Sequence, residues 1–200
     1  MKMGKISLLL TVAILAANAG AFPVISNPAG AVLAAKNRGT QQDSVNNLKQ
    51  IGVAISMYAL SNDEKLPESF SDLEEYAGGS RIFIAAFDKK SKQAVTGQEI
   101  KANNTSFAYV GNLGRMTALN NPAMTPLAFE KPWLLPESQQ SIAVLFADGH
   151  VERFSIPQVA DKSCRDVVKI ITAKLQNKAL KEQLQKNAAK EDSARKNAEK

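Results

Sequence analysis

The chain has 200 residues, of which 44% are hydrophobic and 22% charged, and it contains one cysteine and one histidine. Its length suits a single domain with tails, and its composition excludes wholesale disorder. One cysteine and one histidine exclude an internal disulfide and a zinc site of the Cys/His type, and His150 is the only histidine that a catalytic triad could use.

The formal net charge of +6 is concentrated at the two ends of the chain. Residues 1–5 carry two lysines, and residues 169–200 hold nine basic and four acidic side chains, so the sequence between them is close to neutral. Nucleic-acid-binding proteins usually carry their positive charge on the folded domain, with aromatic side chains among it. We therefore expect no nucleic-acid partner.

The amino-terminal residues have the layout of an export signal. A short basic start precedes a nearly apolar run over residues 6–17, and small residues then provide cleavage sites after Ala19 or Ala21. The run is shorter than the roughly 20 residues that a membrane-spanning helix needs, and Pro23 ends it. Residues 1–21 therefore predict a cleaved signal peptide and an exported protein, periplasmic or secreted. An uncleaved inner-membrane anchor and an internal helix are the alternatives.

The first helix of the body is the strongest in the chain. Residues 22–31, with two prolines and a glycine, predict an irregular linker, and a weak helical pattern from Val32 is interrupted by Gly39. From Asp43 to Leu60 apolar side chains recur at helical spacing and form one stripe, which must pack on another element. The residues of this stripe that we expect to hold the helix against a sheet are Leu48, Ile51, Ile55 and Tyr58.

Beyond this helix, short apolar runs alternate with polar and proline-rich stretches. Pro67 prevents the helix from continuing, and the pair Gly78-Gly79 ends the next helical pattern. The predicted elements, in chain order, are a short helix over 69–76, a strand over 82–87, a loop over 88–104, a strand over 105–110 and mostly loop over 111–135.

The clearest local signal is a hairpin with strands over residues 142–147 and 150–156. Asp148 and Gly149 separate these two β-prone runs, and this dipeptide favours a two-residue turn of type I′. The cross-strand pairs expected from that turn are Phe146 with Val151 and Val144 with Arg153.

Residues 158–200 form a helix-prone, basic tail. From Cys164 to Leu184 apolar side chains recur at helical spacing, which predicts a long amphipathic helix with Cys164 on its buried side. After Leu184 the only nonpolar residues are alanines among charged and polar side chains, which predicts a solvated helix or a frayed end. A contact surface for acidic polysaccharide, anionic lipid, nucleic acid or a protein partner is the alternative.

No arrangement of residues typical of catalysis is present in the sequence. It has no glycine-rich phosphate loop, no G-x-S-x-G and no C-x-x-C, so we expect neither an enzyme nor a cofactor or small-molecule substrate. Residues 62–64 (Asn-Asp-Glu) offer oxygen ligands for Ca²⁺, but they lack EF-hand spacing and are more simply a turn that ends the helix. His150 has no second histidine with which to hold a metal, so it is more simply a strand residue beside the turn.

Two segments, in this order, resemble a known family. Residues 46–58 (NNLKQIGVAISMY), followed by residues 62–67 (NDEKLP), resemble the helix and the turn of prepilin-like proteins of type II secretion and type IV pili. Residues 142–152 (IAVLFADGHVE) resemble the carboxy-terminal hairpin of the H-x9-DG subgroup of that family, with Ser138 at the position of its histidine.

The beginning of the chain is also similar, more distantly, to a prepilin leader. Such leaders are cut after a glycine, and here Gly4 precedes the apolar run, with Lys5 as the residue that processing would leave at the amino terminus and methylate. A leader of the family has Phe or Met at that place and Glu four positions on, where this chain has Leu9. A pilin-like domain that is secreted or loosely anchored fits these differences better than a filament-forming pilin.

The resemblance implies a pilin-like α+β fold, in which an amino-terminal helix packs on a small antiparallel sheet and a long carboxy-terminal helix is added. The expected organisation is a signal or anchor over 1–21, a linker over 22–31, the pilin-like domain over 32–157 and a basic helix with a solvated tail over 158–200.

For function, the resemblance implies a non-enzymatic pilin- or pseudopilin-like protein of the cell envelope. Its partners would be other envelope or secretion-system proteins or further copies of itself, and its amino-terminal segment would contact the membrane. The alternative is a secreted binding module that uses its basic carboxy-terminal helix for an anionic or protein partner.

Overall fold

The structure is a computed structural model that describes residues 28–91 and 100–198. It combines helices with one antiparallel sheet of four strands in the order β1-β2-β3-β4. The helices are α1 (Pro28–Ser61), α2 (Cys164–Ile171) and α3 (Lys178–Ala198), and the strands are β1 (Phe107–Tyr109), β2 (Pro126–Glu130), β3 (Ser141–Phe146) and β4 (Val151–Ser155). Within the described residues, no helix is both long and apolar enough to cross a membrane. The predicted signal peptide, with Ala19 and Ala21, lies outside the described residues.

Helix α1 is longer than the sequence predicts. It begins at Pro28 and runs through Gly39 without interruption, so the last four residues of the predicted linker, 28–31, are helical. A proline is tolerated in the first turn because its missing N–H would have no helical partner there. A glycine costs a helix only about 1 kcal/mol relative to alanine, which a 34-residue helix can absorb.

The second half of α1 packs on one face of the sheet. Leu48, Ile51 and Ile55 are fully buried and belong to the same core cluster as Leu145 of β3. Gly52 makes this close packing possible, because a Cβ atom at that position would lie 2.9 Å from Leu145 Cδ1.

Helices α2 and α3 cover the opposite face of the sheet, which makes the sheet the middle of three layers. The core residues of this second face and of the helices on it include Ala108, Phe129, Ile142, Val144, Val167, Val168, Leu184 and Ala188. Strands β1 and β2 are buried along their whole length and β3 along nearly all of it. Strands buried on both faces lose the alternation of apolar and polar residues that marks a half-exposed strand.

Two predictions about strands are wrong. The predicted strand over 82–87 is a 3₁₀ turn (Ser80–Phe83) followed by irregular backbone, and its apolar residues Phe83 and Ala85 fill the core under α1 without joining the sheet. Strand β2 lies inside the stretch 111–135 that predicts mostly loop. Its prolines suggested a loop, but Pro126 is the first residue of the strand, where a missing N–H is tolerated.

The hairpin of β3 and β4 forms where it is predicted, but its register differs by one residue. The observed pairs are Leu145 with Val151 and Val144 with Glu152. The backbone N–H of Phe146 donates to the His150 carbonyl at 2.9 Å, so residues 147–149 form a three-residue loop, and of these Gly149 alone has a positive φ, 88°. A type I′ turn would need positive φ at both central residues, whereas a three-residue loop needs a single glycine at the left-handed position. The predicted pairs of Phe146 and Val144 are therefore wrong.

The predicted long carboxy-terminal helix is two helices, and its end is not a solvated tail. Residues 172–177 separate α2 from α3, and α3 packs against the sheet with Leu184, Asn187 and Ala188 buried. Alanine contributes little apolar area, but its small side chain allows a helix to approach a sheet closely, and polar side chains of α3 supply the remaining contacts described below.

Candidate functional site

Helix α1 has two parts that differ in burial. The side chains of residues 35–43 are exposed or half-buried, and Ser44, which follows them, is buried. The backbone upstream of Ser44 is helical from Pro28, which adds 16 residues, or about 24 Å of helix, to the part that packs on the sheet. We call residues 28–43 the projecting segment.

The packed part of α1 also exposes apolar side chains on the side away from the sheet. Val53, Met57 and Leu60 are 61%, 48% and 82% exposed. They follow one another at spacings of four and three residues and so form one line along the helix, the outer stripe. Ile170 of α2 is the other large hydrophobic side chain exposed in the described part of the chain.

The residues predicted to hold α1 to the sheet lie at its inner side. Leu48, Ile51 and Ile55 are buried, whereas Tyr58 is half-buried and packs edge-on against the ring of Tyr76, with ring centroids 5.6 Å apart. A further residue of the same sequence segment fixes the helix by a polar contact, since Asn47 Nδ2 donates to the carbonyl oxygen of Ile84 at 3.0 Å. Residues 47–58 thus dock α1 against the rest of the domain.

The predicted turn residues lie at the tip of the β3–β4 hairpin. The Asp148 carboxylate accepts a hydrogen bond from the backbone N–H of His150 at 3.1 Å, and the imidazole of His150 stacks on Phe146 with centroids 4.5 Å apart. Burial raises the pKa of Asp148, but the hydrogen bonds from His150 outweigh this effect and hold it below its ordinary value. His150 is thus tied to the turn and to the strand beside it.

The turn that ends α1 contains the residues considered for Ca²⁺. Asp63 and Glu64 have positive φ values of 52° and 60°, and the backbone N–H of Glu64 donates to Ala59 at 2.8 Å. Across residues 28–91 and 100–198, no group of three or more His, Cys, Asp or Glu side chains could hold a metal ion.

A buried ion pair lies under α1 that no pattern in the sequence predicts. Glu130 of β2 is fully buried, accepts a hydrogen bond from the Ala143 backbone N–H at 2.8 Å and lies 3.6 Å from Nη2 of Arg153. Burial raises the pKa of Glu130, and the Arg153 guanidinium opposes that rise. The pair joins β2 to β4 across the α1 face of the sheet, at the level where the buried part of α1 begins.

Polar side chains of α3 cover the edge of the sheet at strand β1. Glu191 Oε1 accepts from the backbone N–H of Tyr109 at 3.1 Å, and Asn187 Nδ2 donates to the Val110 carbonyl at 2.9 Å. These side chains satisfy backbone groups at edge strand β1, which would otherwise be open to pairing with another chain. A third polar residue, Asp192, accepts from the backbone N–H of Cys164 at 2.8 Å and so caps α2.

Cys164, the first residue of α2, and Lys131, which follows β2, are two further buried residues with ionisable side chains. Cys164 is fully buried, and burial raises the pKa of its thiol well above the ordinary value, so this cysteine is an apolar core residue rather than a link to another chain. Lys131 is also buried, and its ammonium donates to the carbonyl and the hydroxyl of Thr105 at 2.7 and 2.8 Å. Burial lowers the pKa of Lys131.

Comparison of the chain with protein families, with curated proteins and with solved structures gives no match in any of the three.

Proposed function

We propose that this protein is a non-enzymatic, pilin-like component of the cell envelope that works by assembly with other proteins. Helix α1 is the assembly element, and the three-layer domain is the head that it carries. The observation that supports this proposal most directly is that the α1 backbone continues as a helix for about 24 Å upstream of Ser44, with exposed or half-buried side chains over residues 35–43.

The two parts of α1 complement each other in this role. The packed part fixes the direction of the helix through Leu48, Ile51 and the Asn47 hydrogen bond, so the head determines where the projecting segment points. The projecting segment then presents exposed side chains over residues 35–43 to a neighbouring helix. A helix that leaves its own domain has most of its surface free for packing against other helices.

The outer stripe extends the same surface towards the head. Exposed apolar side chains in a line on a helix are typical of a contact with another helix or with a shallow groove. Partners of this chemistry are further copies of the chain or other envelope proteins of type II secretion or type IV pilus-like systems. The export predicted from residues 1–21 agrees with that location.

The proposal is tested by photo-crosslinking the full chain in its native cells. A benzophenone side chain replaces Arg38, which is exposed on the projecting segment, or Lys174, which is exposed between α2 and α3. We expect Arg38 to give products at multiples of the mass of the processed chain or with one envelope protein, and Lys174 to give none of these. Equal product patterns from the two positions, or no product from Arg38, would contradict the proposal.

The processing of the amino terminus decides between the two forms of the proposal. Intact mass and terminal sequencing of the protein from fractionated cells identify the first residue. Cleavage after Ala19 or Ala21, in a soluble fraction, indicates a secreted pilin-like domain. Cleavage after Gly4 with a methylated Lys5, in a membrane or filament fraction, indicates a working pseudopilin.

A further inference from the structure

The helical layer formed by α2 and α3 uses most of its acidic side chains for hydrogen bonds within the fold and exposes most of its basic ones. Residues 163–196 contain nine basic and four acidic side chains. Three of the four acids are used by hydrogen bonds within the fold. These acids are Asp166, bonded to Ser163; Glu191, bonded to the Tyr109 backbone; and Asp192, bonded to the backbone of Cys164 and Arg165. The nine basic side chains are all exposed or half-buried, so they outnumber the acids on the outer surface.

Four of these basic residues line one groove between α2 and α3, with a volume of about 470 Å³. Its charged lining consists of Arg165, Lys178, Lys181, Lys186 and Glu182. Four cations and one anion give the lining a net charge of +3, and the anion, Glu182, lies 3.9 Å from Lys178 Nζ. We call this feature the basic groove. Exposed lysines extend the positive surface beyond it at positions 169, 174, 190 and 196.

The walls of the basic groove are held in place by contacts between the two helices. Lys181 Nζ donates to the Ala173 carbonyl at 3.1 Å, and Gln185 Nε2 donates to the Arg165 carbonyl at 3.1 Å. The cap that Asp192 places on α2 fixes the same pair of helices. A groove that is already formed costs a ligand less ordering free energy than one that must be assembled on binding.

We infer that the basic groove binds a linear acidic polysaccharide. A chain with regularly spaced carboxylates or sulfates matches a groove that carries cations along its length and has no aromatic residue in its lining. Single-stranded nucleic acids are usually held by a positive groove together with aromatic side chains on which the bases stack. An anionic membrane would require an apolar face that inserts between lipids, and Ile170 is the one large hydrophobic side chain that this layer exposes among the described residues.

This inference does not depend on the assembly role of α1. The basic groove and α1 lie on opposite sides of the sheet, so charge changes in the groove leave the projecting segment and the outer stripe intact. Failure of one proposal therefore says nothing against the other.

The test measures binding of the full chain to polygalacturonate as a function of salt concentration. The double variant Lys178→Gln/Lys186→Gln removes two exposed cations from the groove. The matched control, Lys49→Gln/Lys65→Gln, removes two exposed cations on the α1 side of the molecule. Circular dichroism checks that both variants fold, which we expect because all four positions are exposed.

We expect the groove variant to bind at least tenfold more weakly than the unaltered chain at low salt, and the control variant to bind less than threefold more weakly. The dependence of log affinity on log salt should become shallower by roughly one unit per groove lysine removed. Equal losses in the two variants would overturn the assignment to the groove. No binding of the unaltered chain to polygalacturonate at low salt, or tighter binding to duplex DNA or to phosphatidylglycerol vesicles, would overturn the assignment to a polysaccharide.

Discussion

The two helical layers on either side of the sheet are built on different principles. Helix α1 is held by one apolar stripe, in which Leu48, Ile51 and Ile55 are buried along its inner side. Helix α3 buries only Leu184 and Ala188 as apolar side chains, and it relies on polar residues such as Asn187 that bind backbone groups. The first kind of packing leaves a periodic signal in the sequence, whereas the second kind does not.

The outer surfaces of the two layers differ as well. Helix α1 exposes the apolar side chains Val53, Met57 and Leu60, which suit contact with another helix. Helices α2 and α3 expose mainly lysines, and three of their four acids accept hydrogen bonds within the fold. One side of the sheet is therefore suited to assembly and the other to an anionic partner, and the sheet keeps the two surfaces apart.

The largest effect is expected from Ile51→Ala, which tests whether α1 is held to the sheet by its apolar stripe. Ile51 is fully buried on the inner side of α1, so the truncation should lower the free energy of unfolding by about 2–5 kcal/mol. Urea denaturation followed by circular dichroism measures the change. Val53→Ala on the exposed side of the same helix is the control, and it should change stability by less than about 0.5 kcal/mol. Equal effects from the two variants would mean that α1 does not pack through its inner stripe.

On the other side of the sheet, Ala188→Leu tests whether α3 depends on close approach rather than on apolar area. Ala188 is fully buried, and a larger side chain there should push the helix away from the sheet at a cost of about 1–3 kcal/mol. Ala179→Leu, at an exposed position of the same helix, should be nearly neutral. If Ala188→Leu were neutral in denaturation experiments, α3 would be the solvated helix that its composition suggests.

These two helices show how far the sequence predicts the fold. The apolar spacing of residues 43–60 identifies the packed part of α1, and the Asp148-Gly149 pair identifies the hairpin. The register of that hairpin is not predictable from the pair alone, because Asp-Gly suits two-residue and three-residue loops alike. Strand β2 is hidden by Pro126, by the prolines on either side of the strand and by burial on both faces.

The functional surfaces were harder to predict than the fold, for a related reason. The charge of α3 looks interleaved along the sequence, and only the structure reveals which carboxylates are used internally, as Glu191 and Asp192 are. The buried carboxylate of Glu130 lies within an apolar segment and gives no sequence signal of its partner Arg153. Long-range contacts of this kind depend on strand order and helix placement, which one sequence does not specify.

Glu130 and Asp148 should change the free energy of unfolding with pH in opposite directions. Because burial raises the pKa of Glu130 above its ordinary value of 4.5, the folded protein binds its proton more tightly than the unfolded chain does. The stability from this group is complete below pH 4.5 and is lost as the pH rises through the raised pKa. Glutamine carries no charge at any pH in this range. The Glu130→Gln variant should therefore lose less stability than the unaltered chain when the pH rises from acid to neutral.

Asp148→Asn should change the pH dependence of stability in the opposite direction to Glu130→Gln. The pKa of Asp148 is lowered by its hydrogen bonds from His150, so its stabilising contribution is present at neutral pH and is lost as the pH falls through the lowered value. Urea midpoints between pH 3 and 8, measured for both variants and the unaltered chain, give the two slopes. If Glu130→Gln left the pH profile unchanged, the buried position of Glu130 would be wrong.

The smallest expected effect concerns the projecting segment itself. Gly39 lies inside α1, and a Cβ atom there would meet no other atom within 4 Å, so Gly39→Ala should stabilise the local helix by about 0.5–1 kcal/mol. Amide hydrogen exchange over residues 35–43 should slow roughly two- to fivefold, with little change in global unfolding, because this part of the helix opens separately from the core. Gly114→Ala is the matched substitution at a position with φ of 85° and equally free space, and it should destabilise the protein because alanine is strained there. Unchanged exchange in Gly39→Ala would mean that residues 35–43 are not held as a helix in solution, which removes the main support for assembly through α1 while leaving the basic groove on the other side of the sheet unaffected.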